Sequence, residues 1–231
     1  MQAVILAGGL GTRLRPITEH IPKPMVEVAG EPFLARIVRW LAQHDFRDQL
    51  LLLGYRGEVV SDYFEDGHRF GISIEYSREP SPLGTGGAIR YALEKLEDEF
   101  LLLYGDSYLP IDYKQVVGAF LTPPPCNGLM VVYDNRLADT GVTSNVAVDG
   151  DGWVARYAKN QLDSDLQYVE AGVQCFRKQV FESLPARRVI SLEQELYPAL
   201  IANQQIRAFS TPQRFFDIGT PQRLEEFVSK Q

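Results

Sequence analysis

The chain has 231 residues, enough for one large α/β domain or two small ones with a substantial core. Hydrophobic residues make up 45% and charged residues 23%, a globular balance that excludes intrinsic disorder as the main state. Lys and Arg number 23 against 30 Asp and Glu, so the net charge of −7 argues against a broad nucleic-acid-binding face; a phosphate ligand then needs a locally basic pocket or a metal ion.

In chain order, Ala3–Leu6 is a short apolar run ending at Gly8-Gly9, as expected of a buried parallel strand. Pro32–His44 carries Phe33, Ile37, Trp40 and Leu41 at helical spacing. Gln49–Leu53 predicts a second buried strand, Gly57–Glu65 a short helix, and the alternating Ile72–Tyr76 a third strand. Gly86–Leu96 places Ile89, Ala92, Leu93 and Leu96 on one helical face, and Phe100–Tyr104 is a fourth strand ending at Gly105-Asp106. This rhythm predicts a parallel sheet covered on both faces. Thr122-Pro123-Pro124-Pro125 is the strongest break. Beyond it, strands are expected at Leu129–Tyr133, Asn145–Val148, Val154–Ala158 and Tyr168–Phe176, with short helices around Phe181, Leu196 and Leu200. Late strands at Arg207–Phe209 and Arg214–Ile218 precede a closing helix at Pro221–Val228. With no clean linker, repeat or low-complexity segment, the expectation is a single domain over 1–231, with a nucleotide-type front half (1–122) and a substrate-binding back half (123–231).

Cys126 and Cys175 cannot build a disulfide scaffold and read as reduced thiols, while His20, His44 and His68 match no zinc pattern. No apolar stretch approaches the roughly 18 residues of a membrane span, and the opening MQAVIL has neither the leading charge nor the length of a signal peptide. A cytoplasmic protein is expected.

The most informative stretch is Leu6-Ala7-Gly8-Gly9-Leu10-Gly11-Thr12-Arg13-Leu14-Arg15-Pro16, followed by Pro22-Lys23-Pro24-Met25. Glycines after a strand let backbone N–H groups approach a phosphate, and Arg13 and Lys23 add positive charge beside them. A Rossmann fingerprint needs a third glycine where Leu14 stands, and no Walker A loop occurs. Pro82-Leu83-Gly84-Thr85-Gly86-Gly87-Ala88 reads as a glycine-rich helix start whose N–H groups favour an anion or a flat ligand. Asp106 lies at the carboxyl end of a buried parallel strand, where α/β sheets bind ligands. Asp217, in Phe215-Phe216-Asp217-Ile218-Gly219-Thr220-Pro221, lies just before a helix for which Thr220 is the better N-cap.

With Gly8–Leu14 and Pro22–Pro24, the chain resembles the sugar-1-phosphate nucleotidyltransferases, or NDP-sugar pyrophosphorylases, and further landmarks recur in order along nearly its whole length. The resemblance implies a Rossmann-like, glycosyltransferase-A-type three-layer α/β sandwich with a mostly parallel central sheet and a β-rich second half. It implies nucleotide contacts from Leu6, Ala7, Gly8, Gly9, Gly11, Thr12, Gly84 and Thr85, with Glu79 accepting from guanine N1–H and the exocyclic amine. Arg13 and Lys23 are implied as catalytic, and Asp106 and Asp217 as ligands of Mg²⁺. The lysine that holds the sugar phosphate is Lys159, although Ala158 and Asn160 replace the usual Glu and Pro around it; Glu170 and Gly172 are implied as sugar contacts. The ending and the Pro82–Ile89 segment look most like the D-glycero-α-D-manno-heptose 1-phosphate guanylyltransferases, then the mannose-1-phosphate guanylyltransferases, then uridylyltransferases. An NTP, a sugar 1-phosphate and a homodimer partner are implied; no nucleic acid or membrane is. A binding protein that kept the fold and lost the chemistry should have lost Arg13, Lys23, Asp106 and Asp217, all of which remain.

Overall fold

The computed structural model describes residues 1–186 and 188–230. Its front half runs through β1 (Gln2–Leu6), a hairpin of β2 (Glu27–Val28) and β3 (Glu31–Pro32), α1 (Phe33–Gln43), β4 (Asp48–Leu53) and α2 (Gly57–Phe64). It continues with β5 (Ser73–Arg78), α3 (Gly84–Tyr91), β6 (Glu99–Tyr104), β7 (Ser107–Tyr108) and α4 (Tyr113–Leu121). The back half holds β8 (Gly128–Asp134), β9 (Val146–Val148), β10 (Val154–Tyr157), β11 (Tyr168–Arg177) and α5 (Gln179–Glu182). A π-helical turn (Leu192–Leu196) then leads into α6 (Tyr197–Ala202), β12 (Ile206–Thr211), β13 (Phe216–Asp217) and α7 (Pro221–Ser229).

Four strands of the front half lie parallel in the order β5-β4-β1-β6. Their apolar runs follow from burial on both faces. Ala3, Ile5, Leu51, Leu53, Leu101 and Leu103 point to one side, among Phe33, Ile37, Val60, Phe64, Val116, Phe120 and Phe227 of α1, α2, α4 and α7. Val4, Leu50, Leu52, Phe100 and Leu102 point to the other, among Ile89, Phe181, Tyr197 and Leu200 of α3, α5 and α6. Each side is a continuous core, so the molecule has three layers.

The Pro-rich segment after α4 does not interrupt this sheet. β11 pairs antiparallel with β6 over five residues, from Val173 opposite Leu103 to Arg177 opposite Glu99, and β8 and β12 extend the sheet beyond it. Arg207 of β12 reaches back to donate to the Thr122 carbonyl at 3.0 Å. The late strand expected at Arg214–Ile218 shrinks to Phe216–Asp217, because β13 pairs only with the equally short β7. That small pairing sets Asp217 opposite Ser107, and the Ile218 N–H donates to the Asp106 carbonyl at 3.0 Å. The helix expected over Gly86–Leu96 begins at Gly84 and gives way after Tyr91 to a 3₁₀ turn, Leu93–Lys95. Cys126 and Cys175 are both free and buried, and burial pushes the Cys175 thiol well above its ordinary range. Among the described residues no helix is long and apolar enough to cross a membrane.

Candidate active site

The carboxyl ends of β1, β4 and β6 open onto a cavity of about 380 Å³. Leu6, Ala7, Gly8, Gly9, Lys23, Glu79, Gly84, Thr85, Tyr104, Asp106, Lys159 and Glu193 contribute to its lining. The size falls in the range of small-molecule sites, and the position is where open parallel sheets take ligands.

The turn after β1 is shaped by close backbone approach. A Cβ on Gly8 would stand 3.0 Å from the Gly54 nitrogen and 3.3 Å from Glu79 Oε1. Gly11 has φ +61°, and a Cβ there would meet Lys23 Cβ at 2.9 Å and Thr18 Cγ2 at 3.0 Å. The Thr18 hydroxyl donates to the Gly11 carbonyl at 2.8 Å, so the segment folds back and delivers Lys23 beneath the glycines. By contrast, a Cβ on Gly9 would meet nothing within 4 Å: Gly9 borders open space. Thr12 and Arg13 sit in one 3₁₀ turn fixed by the buried Leu14. Both are exposed and neither lines the cavity. Arg13 has no hydrogen-bond or ion-pair partner among the described residues.

Lys23 and Asp106, 83 residues apart, form an ion pair at the cavity wall. Burial acts to raise the Asp106 pKa, but the Lys23 ammonium holds the carboxyl below its usual range. Ser107 Oγ donates to Asp106 Oδ1 at 3.3 Å. Asp217 comes beside this pair through the β7–β13 ladder. Its Oδ1 accepts from the Gly219 N–H at 2.7 Å and its Oδ2 from Arg223 Nη1 at 2.7 Å. The N-cap of α7 is Thr220, as expected, accepting from the Arg223 N–H at 3.4 Å. Asp217 itself does not line the cavity.

Glu79 follows β5, half-buried, with Oε2 accepting the Leu83 N–H at 2.9 Å. Burial raises its pKa, opposed by that hydrogen bond. The Gly84–Gly87 segment has a different reason for its glycines than an anion cradle. The Gly86 and Gly87 N–H groups donate to the Ile190 carbonyl at 2.9 and 3.2 Å, so they are not open to a ligand. Gly84 has φ +74°, and a Cβ on it would stand 2.6 Å from the same carbonyl oxygen. These glycines let the chain around Ile190 pass against the start of α3, which corrects the sequence expectation; Gly84 and Thr85 still line the cavity.

Of the residues expected to meet the sugar phosphate, Lys159 lines the cavity and its ammonium is held by Glu193 Oε1 at 2.6 Å. Glu170 and Gly172 do not line it. Glu170 is buried, and its oxygens accept from Tyr157 (2.8 Å), Tyr197 (2.9 Å) and Gln174. The chain's own hydroxyls occupy the place expected for sugar hydroxyls, and burial next to Glu193 raises the Glu170 pKa. Tyr197 in turn lies 3.3 Å, hydroxyl to hydroxyl, from Tyr104 of the lining. Gly172 has φ +77°, and a Cβ there would press on Ser107 Cβ at 2.7 Å. Its missing side chain admits β7 against β11. Glu193 escaped the sequence reading. The signal available was Ser191 with Gln194 three residues on, a capping-box pattern, and Ser191 does cap that turn.

The nucleotidyl transferase family model matches residues 2–231. The chain belongs to that family. It is 33% identical over 231 residues to the D-glycero-alpha-D-manno-heptose 1-phosphate guanylyltransferase of Campylobacter jejuni, covering 99% of each. It is 32% identical to the mannose-1-phosphate guanylyltransferase of Mycobacterium tuberculosis, covering 99% of this chain but spanning only 63% of that enzyme. Among solved structures, HddC from Yersinia pseudotuberculosis complexed with GMP-PN superposes with a TM-score of 0.83 at 28% identity, covering 99% of this chain and 98% of that one. The family resemblance and the three-layer α/β fold drawn from the motifs are both borne out.

Proposed function

We propose that this nucleotidyl transferase condenses GTP with a sugar 1-phosphate of the heptose or mannose type, releasing pyrophosphate and a GDP-sugar. The observation that carries the reading is the cavity itself, which gathers the glycine turn, the Lys23–Asp106 pair and Lys159 around one space. A phosphate oxygen of the sugar 1-phosphate attacks the α-phosphorus of GTP; that O–P bond forms as the bond to the bridging oxygen of pyrophosphate breaks. The nucleophile is already anionic at neutral pH, so no general base is required. The work of the chain is to align two anions and neutralise the charge that builds on them. In this reading Arg13, exposed and without a hydrogen-bond or ion-pair partner among the described residues, binds the leaving β- and γ-phosphates. Lys23 lies at the α-phosphate, and Lys159 holds the sugar phosphate.

Asp106 and Asp217 suit a hard divalent cation such as Mg²⁺. Asp217 lies on β13 and Asp106 immediately precedes its partner strand β7, and each oxygen keeps lone-pair capacity beyond its present partners. No cluster of three or more metal-type side chains exists among the described residues, so further oxygens must come from phosphates and water. When bound, the ion supplies charge screening at the phosphates. The buried thiols favour a reducing, cytoplasmic setting, and a homodimer is part of the same proposal.

Thermal-shift assays with GTP, UTP, CTP, dTTP and ATP, each with Mg²⁺, test the nucleotide. GTP should raise Tm most; stabilisation by UTP or CTP but not GTP would refute guanine specificity. The Glu79→Gln variant presents a donor where guanine also donates. A site built to hydrogen-bond a substrate group discriminates strongly once that pairing is lost. Steady-state kinetics should show kcat/KM for GTP falling about 10–100-fold, with much less change for UTP.

A further inference from the structure

Glu193 is the one lining carboxylate besides Glu79 and Asp106, and its two oxygens have different surroundings. Oε2 accepts from Ser191 Oγ at 2.6 Å and from Thr85 Oγ1 at 3.2 Å. Both hydroxyls are themselves oriented: Thr85 Oγ1 accepts the Leu192 N–H at 2.8 Å, and Ser191 Oγ accepts the Gln194 N–H at 3.2 Å. Each therefore turns its proton toward Glu193. Oε1 is left to face Lys159, with Lys159 Nζ at 2.6 Å. The Glu193 side chain is 12% exposed while that of Lys159 is 54% exposed, so the carboxylate is the fixed member of the pair and the lysine the mobile one. Burial works to raise the Glu193 pKa, but Lys159 and Ser191 hold it below the usual range, so the carboxylate is charged at neutral pH.

We infer that Glu193 is a positioning residue that sets where the Lys159 ammonium stands at the cavity, and that Thr85 ties this setting to the start of α3. A long lysine chain has many rotamers, and a fixed carboxylate removes much of that freedom before substrate arrives. The Thr85 hydroxyl makes the link physical: the segment bearing Gly84 and Thr85 lines the same cavity, so the nucleotide wall and the sugar-phosphate lysine share one hydrogen-bonded strut. This inference rests on Lys159 holding the sugar phosphate.

The experiment compares the full chain with its Glu193→Gln, Lys159→Met and double variants. Pyrophosphate release and calorimetry are measured with GTP and with mannose 1-phosphate and heptose 1-phosphate. Glu193→Gln should raise KM for the sugar 1-phosphate at least 10-fold, with a smaller fall in kcat, KM for GTP within twofold, and an unchanged melting curve. In the Lys159→Met background the Glu193→Gln change should add almost nothing, since a residue acting through another is non-additive with it. Additive losses, or equal losses for both substrates accompanied by a lower Tm, would overturn the inference and leave Glu193 a structural residue. A wild type that releases pyrophosphate normally alongside an equally active Glu193→Gln variant overturns it too, with the proposed function intact. A wild type that neither binds nor turns over either sugar 1-phosphate overturns the proposed function, and the inference with it.

Discussion

Replacing Arg13 by alanine is expected to lower turnover by about 10²–10³-fold, equivalent to roughly 2.7–4 kcal/mol of transition-state stabilisation, while leaving Tm unchanged. The two halves of this expectation come from separate observations. Arg13 is exposed and makes no hydrogen bond or ion pair among the described residues, so the fold loses no contact when the guanidinium is removed. The turn that carries it is anchored by its neighbour Leu14, which is 1% exposed. Charge on a departing pyrophosphate is what an unpaired guanidinium beside a glycine turn is suited to meet. Pyrophosphate release and a thermal melt on the same preparation check both halves, and wild-type turnover by Arg13→Ala rejects the role.

The second large effect is expected at a position outside the cavity lining. Gly172→Ala places a side chain at φ +77°, a cost of about 1–2 kcal/mol for the left-handed conformation. The new Cβ also stands 2.7 Å from Ser107 Cβ, an overpacking that typically costs about 1–3 kcal/mol. Together these amount to about 2–5 kcal/mol, or a fall of roughly 5–20 °C in Tm for a chain of this size. Ser107 follows Asp106 directly and pairs with Asp217 across β7 and β13. Pushing it away moves both carboxylates, and displacements of about 1 Å cost on the order of 10²-fold in rate. Adding Ser107→Gly removes the clash but not the backbone strain, so the double variant should recover much of the activity and only part of the stability. If Gly172→Ala melts and turns over like the wild type, the close contact between β7 and β11 does not govern the site.

The frame of the fold was legible because its strands are buried on both faces. Ala3–Leu6, Gln49–Leu53 and Phe100–Tyr104 read as nearly continuous apolar runs, interrupted chiefly by the buried Gln49. The two-residue strands β7 and β13 carry no period to detect, yet they bring Asp106 and Asp217 together across 111 residues of chain (217 − 106). Composition around Gly84 pointed to N–H groups open to an anion or a flat ligand because local sequence does not show which distant backbone will pass there; the Ile190 carbonyl takes the Gly86 and Gly87 N–H groups. The burial of Glu170 was hidden for a similar reason. Nearly every residue of β11 is buried, so alternation could not separate a cavity face from a core face. Glu193 was hidden in a turn that also contains Glu195, and only the fold distinguishes the carboxylate that meets Lys159.

The sheet that crosses from β6 to β11 also limits how this enzyme can move. The five-residue ladder between those strands joins the two halves by backbone hydrogen bonds beneath two apolar layers. A clamshell motion would have to unzip that ladder and flood both layers with solvent, a penalty no ligand contact at the rim could match. Any opening of the cavity is therefore expected in the connecting segments at its mouth, above a spine held by that ladder.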